Sequence, residues 1–248
     1  MKKTLAVLLM LAMLFGFAAC GEKEVVEEGP KFDPSQKAEG VMTYAQYAQA
    51  KDGDSVVVEA YVQACQSWWD NKISVYAQDP DGGYFFYNMT CSEEDAEKLL
   101  PGTKIRVEGT KTEWLGEVKI ADGVFTIEEG SWIAEAEDVT SLLGTEELAA
   151  HLNKFVAFKE LTVAQAAVYK YDNSGMRGDD LYFKVSSGGK TYTFMVESYL
   201  CGKKTEVYKA VEALKSGDKI NAEGFLFWEE EPNPNIIRVE QIVEQPKN

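Results

Sequence analysis

Histidine is almost missing from this chain: His151 is the only one among 248 residues. Arginine is nearly as scarce, present only at positions 106, 177 and 238. There is no Gly-x-Ser-x-Gly, HExxH, P-loop or dinucleotide-binding glycine pattern. His151 lies in the helix-like stretch Glu146–Leu152 with no Ser or Cys nucleophile motif near it, so it reads as a helix-surface or C-terminal residue. The four cysteines lack CxxC spacing, and a single histidine cannot complete a zinc site. These absences point away from an enzyme, and no cofactor is expected.

Positive charge is also short. Lys and Arg number 25 against 41 Asp and Glu, a formal net charge of -16. The imbalance is uneven: residues 37–137 carry 8 basic and 19 acidic side chains, residues 139–248 carry 13 and 16. Neutralising phosphates requires Lys and Arg, so the whole-molecule field disfavours polyanions. Any nucleic-acid contact is expected in the second half.

Long apolar runs are absent except at the start, where Lys2 and Lys3 precede Leu5–Phe17 and Ala18-Ala19-Cys20 closes the run. The run is shorter than the roughly 20 residues of a spanning helix and has no basic stop-transfer flank. A basic start, an apolar run and a small-residue end make a secretory signal. With Cys20 at its end the segment resembles the bacterial lipoprotein type; Phe17 departs from the Leu, Val or Ile usual three positions before the Cys. The resemblance implies removal of residues 1–19, lipid on the Cys20 sulfur, and an extracytoplasmic protein anchored to the bacterial membrane in the cell envelope. Losing Lys2 and Lys3 takes the formal charge to -18. Residues 20–38 then form a lipidated, acidic, Pro-punctuated tether. At about 3.3 Å per residue it spans up to roughly 50 Å.

The remainder contains a diverged repeat. Glu97–Gly109 aligns with Glu212–Gly224 at an offset of 115 residues, with Glu, Leu, Gly, Lys, Ile, Glu and Gly recurring in register. Upstream of each copy come a short helix (Thr43–Ala50; Thr145–Leu152), a strand (Ser55–Ala64; Phe155–Val163) and a hairpin turning on glycines. The hairpins are Ile73–Gln78 with Tyr84–Met89, and Leu181–Val185 with Thr191–Val196. A capped helix follows in each (Ser92–Leu100; Thr205–Leu214). The last strands are expected at Glu117–Ile120 and Val124–Ile127 across an Asp122-Gly123 turn, and at Asn235–Val243.

Three strands, a helix and two strands is the order of a five-stranded Greek-key barrel, and the Leu-x-x-Gly-x-Lys-Ile-x-Val-x-Gly passage resembles the OB-fold. The expectation is a mainly β chain of two tandem OB-fold-like barrels, residues 39–137 and 138–248. Each has a short helix before strand one and another between strands three and four. The resemblance extends to exported bacterial lipoproteins with tandem OB-like domains. Residues 137–145 read as a short linker that does not fix the angle between the barrels.

OB-folds bind ligands on strands two and three and the adjoining loops. That implies candidate aromatic contacts at Trp68, Trp69, Tyr76, Tyr84 and Trp114 in the first barrel, with Tyr182, Tyr192 and Trp228 in the second. Within Tyr84–Tyr87 neighbours point to opposite faces, so one alternating pair must be core. Asp79 and Asp81, flanking a Gly turn, form a weak calcium candidate. A Cys65–Cys91 disulfide is permitted in an exported protein.

The leading expectation is a non-catalytic, lipid-anchored protein recognising a peptide, protein or glycan. The alternative is an oligonucleotide-binding lipoprotein, which would need a positive groove across Lys170, Arg177, Lys184, Lys190, Lys203 and Lys204. A second alternative is a structural part of an envelope assembly.

Overall fold

The computed structural model describes residues 32–171 and 177–243. Cys20 and residues 20–31 of the expected tether lie outside them. Among the described residues no helix is long and apolar enough to cross a membrane.

The chain is mainly β. Five strands close the first barrel: β1 (Ser55–Cys65), β2 (Lys72–Gln78), β3 (Gly83–Thr90), β4 (Thr103–Trp114) and β5 (Glu117–Ser131). Their order around the ring is β1-β2-β3-β5-β4, closed by the β1–β4 ladder. The one parallel contact, Phe86 with Ile120, joins β3 to β5. Helix α1 (Tyr44–Gln49) is capped by a reciprocal Thr43–Gln46 box. Helix α2 (Glu93–Ala96) is capped by Ser92. It ends at Ala96, short of the expected Leu100; Lys98 and Leu99 instead turn back onto the Asp95 and Ala96 oxygens three residues earlier.

Beyond β6 (Glu137–Asp138), which runs parallel on the edge of β7, the pattern repeats. The ring of β7 (Phe155–Tyr171), β8 (Arg177–Ser187), β9 (Lys190–Val196) and β10 (Lys219–Phe225) is completed by β13 (Asn235–Gln241). The β10–β7 ladder closes it, and β9 meets β13 in parallel, as β3 meets β5. Helix α3 (Glu206–Ala213) sits between β9 and β10, and a small β11–β12 hairpin (Trp228–Glu229, Glu231–Pro232) fills the β10–β13 connection. Residues Glu146–His151 form a 3-10 turn rather than the expected α-helix, and Thr145 makes no side-chain cap bond.

The repeated glycines explain the closure. Gly109 and Gly224 occupy equivalent places where the ladder slips register. A Cβ on Gly109 would meet Ile120 Cγ2 at 2.6 Å, and one on Gly224 would meet the Asn235 oxygen at 2.2 Å. Only glycine lets the neighbouring strands approach that closely. Opposite Gly109 the expected Asp122-Gly123 turn is a bulge inside one long β5. Asp122 adopts φ 53° there and bends the strand around the barrel without ending it.

Each barrel has its own core, and a third apolar cluster welds them. Val58, Tyr84, Phe86, Ile105 and Val107 fill the first; Phe158, Phe183, Phe194, Val211 and Ile220 fill the second. Tyr76, Phe85, Phe155 and Phe225 pack between them. Phe155 donates its N–H to Gln78 Oε1 at 2.8 Å, and Asn153 Nδ2 donates to the Val118 oxygen at 2.8 Å. The connecting residues take part: Ala134 N donates to Gln63 Oε1 of the first barrel, and Glu137–Asp138 pair with β7 of the second, so seam and connection together set the mutual angle.

Candidate functional site

The two barrels enclose a cleft of about 420 Å³ at the mouth of the seam. Two tight turns build one side of it. Trp69 and Lys72 exchange backbone hydrogen bonds at 3.0 and 2.9 Å across Asp70 and Asn71, both left-handed (φ 49° and 56°). Trp114 pairs with Glu117 across Leu115 and Gly116, again both left-handed (φ 51° and 91°). Such primed turns follow the twist of the strands they join and project the flanking side chains beyond the sheet. Both indoles are therefore exposed, at 72% for Trp69 and 52% for Trp114.

Tyr87 of β3, Tyr199 and Phe227 complete the ring-lined wall. Tyr199 is held by its own carbonyl, which accepts from Ser67 N at 2.7 Å and so ties the β1–β2 loop to the second barrel. Tyr76 and Phe85 line the floor, stacked 4.6 Å apart. Lys119 lies 4.3 Å from the Tyr87 ring centroid and 5.8 Å from that of Trp114. The indole and phenol faces hold its ammonium at the opening.

Two carboxyls, one from each barrel, line the same cleft. Glu117 is 1% exposed; its Oε2 accepts from Trp228 N at 2.9 Å, and its Oε1 has no hydrogen-bond partner. Burial pushes its pKa up to about 8. Glu197, just past β9, accepts from Gln66 Nε2 at 2.8 Å and from Asn235 Nδ2 at 2.9 Å. Burial is the main cause that lifts it to about 7, against the lowering by those donors. Near neutral pH the cleft therefore carries Lys72 and Lys119 against carboxyls that are largely or half protonated. On a strongly acidic chain this is a local reversal of charge.

The structure divides the residues singled out in the sequence. It brings Trp69 and Trp114 to the cleft, with Tyr76 beneath them at 1% exposure. Tyr84 is corrected from contact residue to core: it is fully buried and donates its hydroxyl to Asp79 Oδ2 at 2.9 Å. Trp68 lies over the end of the first barrel, its Nε1 donating to the Cys91 oxygen at 2.9 Å. Tyr192 donates to the Leu143 oxygen at 3.0 Å and packs on the second core. Tyr182 lies apart, on a shallow surface beside Val168 and Thr193. Trp228 rests against Gly116 at the seam.

Other expectations are corrected as well. Asp79 is not available to calcium: Oδ1 accepts from Asp81 N and Gly82 N, and Oδ2 from Tyr84 and from Lys37 at 2.6 Å. Asp81 therefore has no second free carboxylate beside it, and no three metal-binding side chains converge among the described residues. Cys65 and Cys91 are free thiols rather than a disulfide; they donate to the Leu99 and Ser92 oxygens, and burial pushes Cys65 up to about 12. The basic groove is not assembled either. Lys203 pairs with Asp179 near one end of β8, whereas Lys190 stands at the other end, about 26 Å away at 3.3 Å per residue. Lys184 is exposed on β8 between them and Lys204 precedes α3; the side chains of Lys170 and Arg177 lie outside the described residues.

Sequence reasoning missed Lys72, Lys119, Tyr199, Glu117 and Glu197. The Trp-x-x-Lys and Trp-x-Gly-Glu spacings carried a signal for two of them, since a two-residue turn sets its flanking residues opposite one another. Nothing local to residues 197–199 reveals that they face the other barrel.

No protein-family model matches the chain, and no curated protein matches it. Several solved structures are similar in fold. One is a murine DNA-binding protein bound with double-stranded DNA: 12% identity, 77% of this chain and 98% of that one, TM-score 0.35. Another is the Ifi202 HINa domain in complex with 20-bp double-stranded DNA: 9% identity, 76% and 98% coverage, TM-score 0.35. A third is the single-stranded DNA-binding protein from Thermus aquaticus: 13% identity, 80% and 97% coverage, TM-score 0.29. The expectation of a peptide, protein or glycan ligand is corrected here. The cleft offers two ammoniums beside carboxyls that burial holds toward neutrality, a setting for phosphate rather than for a cationic peptide; the three neighbours are themselves named as DNA-binding or DNA-bound proteins.

Proposed function

We propose that this chain binds short stretches of single-stranded nucleic acid in the cleft between its barrels. It does so without catalysis, and it is held outside the cell by lipid on Cys20. The observation that carries the reading is the grouping of Trp69, Trp114, Tyr87 and Tyr199 around Lys72 and Lys119. Exposed rings stack on unpaired bases, which a duplex keeps inside, and stacking contributes about 1–3 kcal/mol per base. Two ammoniums suffice for a short backbone segment but not for tracking a duplex. The acidic remainder of the surface repels further phosphates, which limits the footprint to the cleft.

The test is a titration of the full chain with an unlabelled oligothymidylate, followed by tryptophan fluorescence. Quenching is expected, with Trp69→Ala weakening binding about 5- to 150-fold, the equivalent of one stacked base. Two phosphate contacts predict a shallow slope of log affinity on log salt, about -1.4 for a single strand. No quenching by any oligonucleotide would overturn the reading. Intact mass of the protein from native membranes tests the anchor: an unmodified Cys20 would remove it.

A further inference from the structure

We propose that the cleft takes up protons as it captures a strand, at one carboxyl from each barrel, Glu117 and Glu197, so that it holds its ligand under acidic conditions and releases it under basic ones. The inference rests on the nucleic-acid reading and adds the regulation of that same site.

The geometry supplies the coupling. Both carboxyls line the cleft that also holds Lys72 and Lys119, so their charge is felt wherever a phosphate can sit. Fully ionised, they cancel the two ammoniums; protonated, they leave both uncompensated. Neither carboxyl has a cationic partner among its hydrogen bonds. Around Glu117 stand Lys119 on its own strand, Tyr47 of α1, Tyr76 of β2, Asn153 and the Trp228 N–H. Around Glu197 stand Gln66, Asn235, Tyr76, Cys201 and Asp180, whose charge raises it further.

The unpartnered Oε1 of Glu117 is an independent mark. An ionised oxygen at that depth, with no donor, would leave a buried charge unsatisfied. Asn153 Oδ1 also lacks a donor; the Asn153 side chain and the Trp228 N–H both lower the carboxyl's pKa without outweighing burial. Bringing a phosphate nearby adds another negative charge and makes a proton on Glu117 harder to lose.

Binding of an oligothymidylate to the full chain should therefore weaken between pH 6 and pH 8.5, with about tenfold as the limit for each carboxyl whose titration moves up one pH unit on binding. Thymine has no ionisable group in the lower part of that range, so the probe itself does not mimic the effect. Calorimetry at pH 7.5 in buffers of different ionisation enthalpy should register net proton uptake by wild type. Glu117→Gln and Glu197→Gln keep the shape and neutral state of each carboxyl. Each variant should bind more tightly than wild type at pH 8.5 and take up fewer protons; the pair together should abolish the uptake. Binding at pH 6 with no proton uptake and equal affinity at pH 8.5 would overturn the coupling alone. No binding at any pH would instead overturn the reading of the cleft on which it rests.

Discussion

Tyr76 of β2 and Phe225 of β10 stack across the seam, with ring centroids 4.4 Å apart and planes 8° from parallel. Each belongs to a different barrel, and both are at 1% exposure. Phe85 stacks on the other side of Tyr76, and Phe155 leans on Phe225 at 5.5 Å. This ring column makes the two barrels one body and holds the walls of the cleft at a fixed separation.

Phe225→Ala should cost about 3–5 kcal/mol, the range for emptying a buried aromatic site. In a protein of this size each kcal/mol moves the melting temperature by about 2–4 °C, so the drop is roughly 6–20 °C. Scanning calorimetry checks it. An unshifted transition would mean that the barrels do not depend on the stack.

A second expectation concerns Lys37, ahead of α1. Its Nζ donates to the Glu59 oxygen at 2.7 Å and to Asp79 Oδ2 at 2.6 Å, with the lysine side chain 8% exposed. Removing one partner of a buried pair leaves the other charge uncompensated. Lys37→Ala should therefore lower stability by about 3–5 kcal/mol in urea unfolding. Because Asp79 is already saturated by four donors, millimolar calcium should leave the transition where it is; a rise in melting temperature would restore the cation site.

Much of this architecture was legible in the sequence because the repeat is written in residues whose roles are local. Gly109 and Gly224 mark close strand approach, Ser92 and Thr205 cap helices, and the alternation in β3 separates Tyr84 and Phe86 from Phe85 and Tyr87. The alternation alone does not say which pair faces inward; the structure puts Tyr84 and Phe86 in the core. Asp122-Gly123 has the composition of a turn, but pairing along the whole of β4 made it a bulge. The cleft was harder to read. Trp69 and Trp114 are legible as candidate aromatic contacts beside the strands, whereas Glu197 and Tyr199 acquire their meaning only when the second barrel docks. A contact between two folded units has no period in the chain.

The seam also makes a prediction about size. A Cβ on Gly83 would lie 2.3 Å from the Asn153 carbonyl carbon, backbone against backbone, so no side chain can swing aside. Gly83→Ala should pry the barrels apart at that edge. Solution X-ray scattering should show an increased radius of gyration, and oligonucleotide quenching should weaken although no cleft side chain has changed. An unaltered scattering curve would show that the seam tolerates the methyl group.

The last expectation uses the titration of Glu117. Its carboxyl has an ordinary value of 4.5, whereas burial holds it near 8 in the fold. Between those values the unfolded chain has released a proton that the folded chain still keeps. Stability from this group is therefore complete below about pH 4.5, declines as pH rises through 8, and stays low above it. Glu117→Gln removes the titration while preserving the shape. The variant should melt at the wild-type temperature at pH 4.5, where both side chains are neutral, and higher than wild type at pH 8.5, where only the glutamate must carry a buried charge. A paired thermal series at the two pH values decides it. A variant that melts lower by the same margin at both would show that the carboxyl is held by its contacts rather than by its proton.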